Sequence, residues 1–262
     1  MNLTRVFAII VRHLYLYQRS LPRLIEIFYW PTLDLLLWGF VALYLSNIPG
    51  EAARVASLLV GALILYDVFL RSTLGVSVTF LEEPWTRNLV NLFVSPLTTL
   101  EYLAGIIAVS LIKTTAAVVA MALLGWLLYA FNILTIGPAL VPFIIALLLF
   151  GWASGIFATA IILRYGLSAE ILAWGLAFLI QPLSAVYYPV TVLPPALQYI
   201  AYALPTTYIF EGMRLVRDTG EIPIQHLFWA FGLDAIYLAL ALVFFGWIFT
   251  LARRKGLLMQ ME

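Results

Sequence analysis

Cysteine is missing from all 262 residues, so no disulfide can form and the redox compartment leaves no trace in the chain. Charge is nearly missing too: Asp, Glu, Lys and Arg make up 10% of the residues, where a soluble domain carries about 25%. Net charge is +1, and the only basic run is Arg253-Arg254-Lys255, which leaves no footprint for a nucleic acid. There are two histidines, His13 and His226, far apart and outside any H-E-x-x-H pattern, so a metal-hydrolase site of familiar spacing is excluded. No G-x-x-x-x-G-K-[ST] loop exists to cradle a nucleotide triphosphate. Ser77 sits in G-V-S-V-T, one glycine short of a nucleophile elbow. No catalytic residue, cofactor site or metal site is therefore expected on this chain. Nor does the start read as a cleaved signal, because Arg5 and Arg12 interrupt any apolar core.

What remains is hydrocarbon: 64% of the residues are hydrophobic and 15% aromatic. Repeats and low-complexity tracts are absent, so a single domain over 1–262 is expected. Six stretches are long enough to cross a core of about 30 Å, at 28–45, 55–80, 102–131, 138–163, 171–188 and 227–251. With the N-terminus inside, the inner connections receive Arg5, Arg12, Arg19, Arg23, Arg71, Arg87, Arg164, Arg253, Arg254 and Lys255, and the outer ones only Arg54, Arg214 and Arg217. The positive-inside rule then places both termini, including a tail at 252–262, in the cytosol of a cell (plasma or inner) membrane.

Residues 2–26 read as an amphipathic helix lying on the membrane surface. Leu3, Val6, Phe7, Ile10, Val11, Leu14 and Leu21 share one face, while Arg5, Arg12 and Arg19, spaced by seven, line another. The most polar connection is T-F-L-E-E-P-W-T-R-N-L-V-N-L-F-V-S-P-L, between the second and third spans. Pro84 after Glu82-Glu83 predicts an extended chain followed by a helix start, with the acids at its positive end. Leu89, Leu92 and Phe93 recur at helical spacing opposite Arg87, Asn88 and Asn91 until Ser95-Pro96. A short interfacial helix of about three turns is expected, with the chemistry of a docking surface.

The long connection at 189–226 carries Pro189, Pro194-Pro195 and Pro205, each suited to open a short helix. Two helices too short to span should cap the bundle from outside, with Glu211 and Arg214 paired at three residues' spacing. Inside the spans, Asp34 and Asp67 lie roughly 12 Å above the inner edge at about 1.5 Å per residue. Asp67 and Arg71, four apart, can pair, and Lys113 can snorkel toward the inner face. These four form a possible charge network, with structural neutralisation, the lining of a substrate path and proton coupling all open. Gly151-Trp-Ala-Ser-Gly155 in the fourth span allows close helix approach, either within the chain or at a subunit interface.

Glu82-Glu83, the leucine-rich helix with Leu89 and Leu92, and Ser95-Pro96-Leu97 resemble the coupling-helix stretch of ABC type-2 exporter permeases. The stretch from P-V-T-V-L-P-P to E-G-M-R, ending at Arg214, is similar to that family's external re-entrant hairpin. The resemblance implies an all-α membrane protein of six transmembrane helices, with an interfacial N-terminal helix, a coupling helix and an outer hairpin. It also implies that Glu82, Glu83, Pro84, Trp85, Arg87, Leu89, Leu92, Ser95 and Pro96 meet a separate ABC ATPase subunit. That partner would hold ATP and Mg, and a second permease copy or paralogue would complete the pathway. An amphipathic, lipid-like or glycan-linked cargo is implied. Polymer exporters of the family often have Asn-Pro where this chain has Leu204-Pro205, which favours a small amphipathic or lipid-like molecule. The alternative is an ion- or proton-coupled secondary transporter or channel using the intramembrane charges.

Overall fold

The computed structural model describes residues 1–48 and 51–255. Among the described residues the chain is all-helical. Its ten α-helices are α1 Leu3–Gln18, α2 Leu21–Ser46, α3 Glu51–Trp85, α4 Leu89–Val94, α5 Thr99–Tyr129, α6 Leu140–Tyr165, α7 Leu172–Leu183, α8 Pro195–Tyr202, α9 Pro205–Thr219 and α10 Ile224–Lys255. Short 3-10 turns occupy Ile133–Ala139, Gly166–Ala169 and Val190–Val192.

Among the described residues, five helical stretches are long and apolar enough to cross a membrane: Leu21–Ser46, Leu58–Trp85, Thr99–Tyr129, Ile133–Ala169 and Ile224–Arg254. The expected crossing at 171–188 is instead the 12-residue α7, only about 18 Å long. After Pro182 and Leu183 the chain leaves the helix, and Ala185 takes a left-handed φ of 52°. Broken backbone at this depth is tolerable only when its polar groups find partners. Arg214 donates to Ala185 O at 2.6 Å and Val186 O at 3.4 Å, and Glu211 accepts from Val190 N–H at 2.7 Å. The Glu211–Arg214 pair, 3.2 Å apart, thus holds the unwound segment as well as itself.

The α3 helix is the centre of the bundle. Its apolar window is 89% buried, against 17–39% for the other four, and α2, α5, α6 and α7 all pack on it. The α3–α6 contact is closest at the two glycines: a Cβ on Gly155 would stand 2.7 Å from Thr73 O, and one on Gly151 2.9 Å from Phe69 O. Gly151 and Gly155 therefore serve packing inside the chain. The buried hydroxyls beside them are satisfied: Ser72 and Thr73 donate to Phe69 O and Ser77 to Thr73 O.

One core cluster joins Ile9, Leu81, Leu89, Tyr102, Leu163 and Phe249. It gathers α1, α4 and the last turns of α10 at one end of the bundle. A second joins Tyr66, Phe69, Phe143, Phe210 and Ala230 beneath α9. Pro195 and Pro205 sit in the first turns of α8 and α9, as the prolines predict.

The helix expected over 2–26 is two helices. Ser20 is extended, with φ −128° and ψ 97°, and Pro22 opens α2, which takes Leu21 and Arg23. Nor is the inward face of α1 its leucine stripe. Val6, Ile9, His13 and Tyr17 are buried in the protein, while Leu3, Phe7 and Leu14 point outward. Of the tail expected at 252–262, α10 carries the first residues to Lys255, and 256–262 lie outside the described residues.

Candidate functional site

The polar stretch is built differently from the sequence expectation. Glu82, Glu83, Pro84 and Trp85 form the last turn of α3 rather than the start of a new helix. Asn88 N–H closes back on Glu83 O and Arg87 N–H on Pro84 O, the hydrogen-bond pattern of a left-handed helix end. Arg87 occupies the left-handed position, φ 51°, where glycine is usual. The following helix, α4, has six residues, about one and a half turns rather than three. Ser95 ends it in the extended conformation that the residue before a proline prefers.

Two carboxylates at a helix C-terminus oppose its dipole, so something else must hold them. That partner is α1. Arg12 donates through both Nη atoms to Glu83 Oε1 and Oε2, each at 2.7 Å. His13 Nδ1 lies 3.1 Å from Glu82 Oε2 and its Nε2 3.5 Å from Glu83 Oε1. Tyr17 donates to Glu82 Oε1 at 2.9 Å and accepts from Lys113 Nζ at 2.6 Å. Burial, reinforced by the Glu82 charge, pushes the Tyr17 hydroxyl far above the ordinary tyrosine range, so it stays a donor. Asn88 Nδ2 reaches Glu83 Oε2 at 3.0 Å and ties the turn before α4 to the same cluster.

The front of α1 is fixed separately. Glu101 forms a capping box with Thr98 at the start of α5 and also accepts from Asn2 N–H at 2.6 Å. Arg5 donates to Pro96 O at 2.5 Å and to Glu101 Oε2 at 3.4 Å. So α1 grips the chain just before and just after α4.

This geometry changes which residues can meet a partner. Glu82, Glu83, Pro84 and Leu89 are buried, and Leu92 packs on the core. Trp85, Thr86, Arg87, Asn91, Val94, Ser95 and Pro96 are exposed. Trp85 also stacks on Trp174 and donates to Glu170 at 3.4 Å, linking this turn to α7.

Of the four intramembrane charges, Asp67 and Arg71 are in direct contact, Oδ1 to Nε 3.1 Å. Lys113 joins the Tyr17–Glu82 cluster and also donates to Thr79 at 3.3 Å. Two cavities adjoin these groups. The lower, of about 180 Å³, is lined by Tyr17, Arg23, Glu26, Arg71, Glu82 and Lys113. The upper, of about 300 Å³, is lined by Asp34, Trp38, Tyr66, Asp67, Gln181 and Tyr187 among others. The Asp67–Arg71 pair sits between them.

A sequence model of ABC-2 type transporters matches residues 4–216, a stretch that includes α1, the α3–α4 turn, both cavities and the α8–α9 cap. The chain belongs to the ABC-2 type transporter family. It is a multi-pass membrane permease component, and ATP hydrolysis in such transporters belongs to a separate ABC ATPase subunit. No curated protein is similar enough to add a second comparison.

Several residues of the cluster around α1 carry no local sequence signal. His13, Tyr17, Thr79 and Glu101 look ordinary in the chain and gain meaning only when α1 folds back. Arg12 was legible as one of three arginines on a line, but its contact with Glu83 spans 71 residues.

Proposed function

We propose that this chain is the transmembrane subunit of an ABC exporter, carrying an amphipathic or lipid-like molecule out of the cytosol on ATP hydrolysed by a separate subunit. The end with α1 and α4 then faces the cytosol, as the arginine distribution favours, and α8 and α9 cap the outer side. A second permease copy or paralogue forms the other half of the path. The observation that carries this reading is the exposed turn of Trp85, Arg87, Asn91 and Val94. It stands directly on the buried end of the central helix and is braced on both flanks by α1. A force applied there by an ATPase passes into α3, and α3 packs on α2, α5, α6 and α7. The acids Glu82 and Glu83 act behind this surface as its anchor to α1, not as its face.

The test is copurification with the ATPase from native membranes. Arg87→Glu with Val94→Asp changes only exposed side chains, so the permease inserts normally while the ATPase is lost or reduced at least tenfold. Retention of the ATPase by that variant, or cargo movement by the purified chain with no nucleotide-hydrolysing partner, refutes the reading. The second outcome would instead support an ion-coupled transporter.

A further inference from the structure

The upper cavity has features that the coupling mechanism leaves unused. Its walls come from α2, from α3 and from α7 with the unwound segment after it. Asp67 is 3% exposed. One of its oxygens takes Arg71 Nε, while the other, Oδ2, is buried with no hydrogen-bond partner. A buried carboxylate oxygen without a donor is costly, and the residue that carries it lines an open space. Asp34 lines the same space, whereas the Arg71 side chain lines the cavity below. Two carboxylates thus face the upper cavity with one guanidinium behind them.

Aromatic rings supply the rest of the wall. Trp38 and Tyr187 stack with centroids 4.8 Å apart, and Gln181 donates to the Tyr187 hydroxyl at 3.1 Å. Tyr66 is fixed by its hydrogen bond to Ala177 O at 2.5 Å. Negative charge beside aromatic faces selects a cation. A hard metal ion needs about six oxygen ligands, and no group able to hold one is present among the described residues. A neutral lipid without a hydrogen-bond donor would leave Asp67 Oδ2 unpaired, one with a hydroxyl would leave its charge uncompensated, and an anion would meet two carboxylates.

We propose that this cavity binds an amphipathic organic ammonium ion. Its N–H donates to Asp67 Oδ2, Asp34 neutralises the remaining charge, and its apolar body lies against Trp38 and Tyr187. Taken as the cargo of this permease, that ion class rests on the function proposed above; the binding site itself does not.

The experiment uses the full chain in lipid nanodiscs without any ATPase. The probe is dansylcadaverine, a fluorescent primary ammonium, with its N-acetyl derivative as a neutral control of the same body. The unaltered chain binds the ammonium probe at least tenfold more tightly than the acetylated one. Asp34→Asn and Asp67→Asn each reduce that preference severalfold, and the double variant removes it, while Asp234→Asn on α10 leaves it intact. Equal binding of the two probes by the unaltered chain overturns the proposal and needs no variant. Full preference in Asp34→Asn/Asp67→Asn overturns it as well. Because no ATPase is present, these results leave the copurification test untouched, and failure there leaves the binding site standing.

Discussion

Replacing Arg12 by alanine tests whether α1 is a brace or only an anchor in lipid. The substitution strips Glu83, whose side chain is fully buried, of two hydrogen bonds at 2.7 Å. Removing one member of a buried ion pair costs about 3–5 kcal/mol. Arg12 is 34% exposed and Glu83 keeps Asn88, so the loss belongs at the low end, about 3 kcal/mol. At about 1.4 kcal/mol per factor of ten, α1 should leave its seat about a hundredfold more often. The front clamp offers an internal comparison. Arg5 is 39% exposed and 3.4 Å from Glu101, so Arg5→Ala should cost about 1 kcal/mol or less and shift the equilibrium no more than about fivefold.

The absence of native cysteine makes the assay direct. Ile9 is buried against α5, 2.7 Å from where a Cβ on Gly105 would stand. Ile9→Cys therefore reports undocking through its rate of maleimide labelling in native-like nanodiscs. The loss from Ile9→Cys is common to all backgrounds and cancels in the ratios. Arg12→Ala should raise the labelling rate about a hundredfold and Arg5→Ala far less. Equal rates in the two backgrounds, or an Arg12→Ala rate within twofold of the parent, would refute the brace.

Four further outcomes follow from contacts inside the bundle. Gly155→Leu must push α6 off the Thr73 carbonyl and should destabilise by about 3 kcal/mol or more, seen as loss of folded protein by size-exclusion in detergent. Gly175→Ala, with nothing within 4 Å of its Cβ, should be neutral or stabilise by up to about 1 kcal/mol. Asp67→Asn should lower the melting temperature more than Asp67→Asn/Arg71→Gln does, because a buried cation without its partner is worse than no pair, by about 3 kcal/mol; equal melting of the two would refute the pairing. Arg214→Met keeps the stem but frees the carbonyls of Ala185 and Val186, and should speed protease cleavage after α7, at about 1–3 kcal/mol per orphaned acceptor, with no effect on labelling of Ile9→Cys.

Local patterns were legible in the sequence and distant ones were not. Asp67–Arg71 and Glu211–Arg214 follow from spacings of four and three on a helix, and both pairs are present. Pro195 and Pro205 open helices because a first-turn proline sacrifices no hydrogen bond. The same logic misled at Pro84. A helix running out of the membrane can carry a proline in its last turn if the next residues close the end by turning left-handed, and Arg87 does so without being glycine. Nothing local distinguishes that ending from a beginning. The inward face of α1 was missed for a related reason. Leucines on a surface helix announce a face that avoids water, but lipid and protein both satisfy that demand. His13 and Tyr17 chose the protein side because Glu82 and Glu83 waited there, and that choice exists only in three dimensions. The break after α7 was only faintly marked, by Gln181, Pro182 and Ser184 in an otherwise apolar 171–188, and the partner of its unwound carbonyls lies on α9.

Arg214 holds two things at once: its own helix, α9, and the unwound segment that carries Tyr187 toward Trp38. Lid and side wall are therefore one solid piece. Any displacement of α9 would carry the Tyr187 ring with it and change the width of the chamber that Tyr187 and Trp38 line.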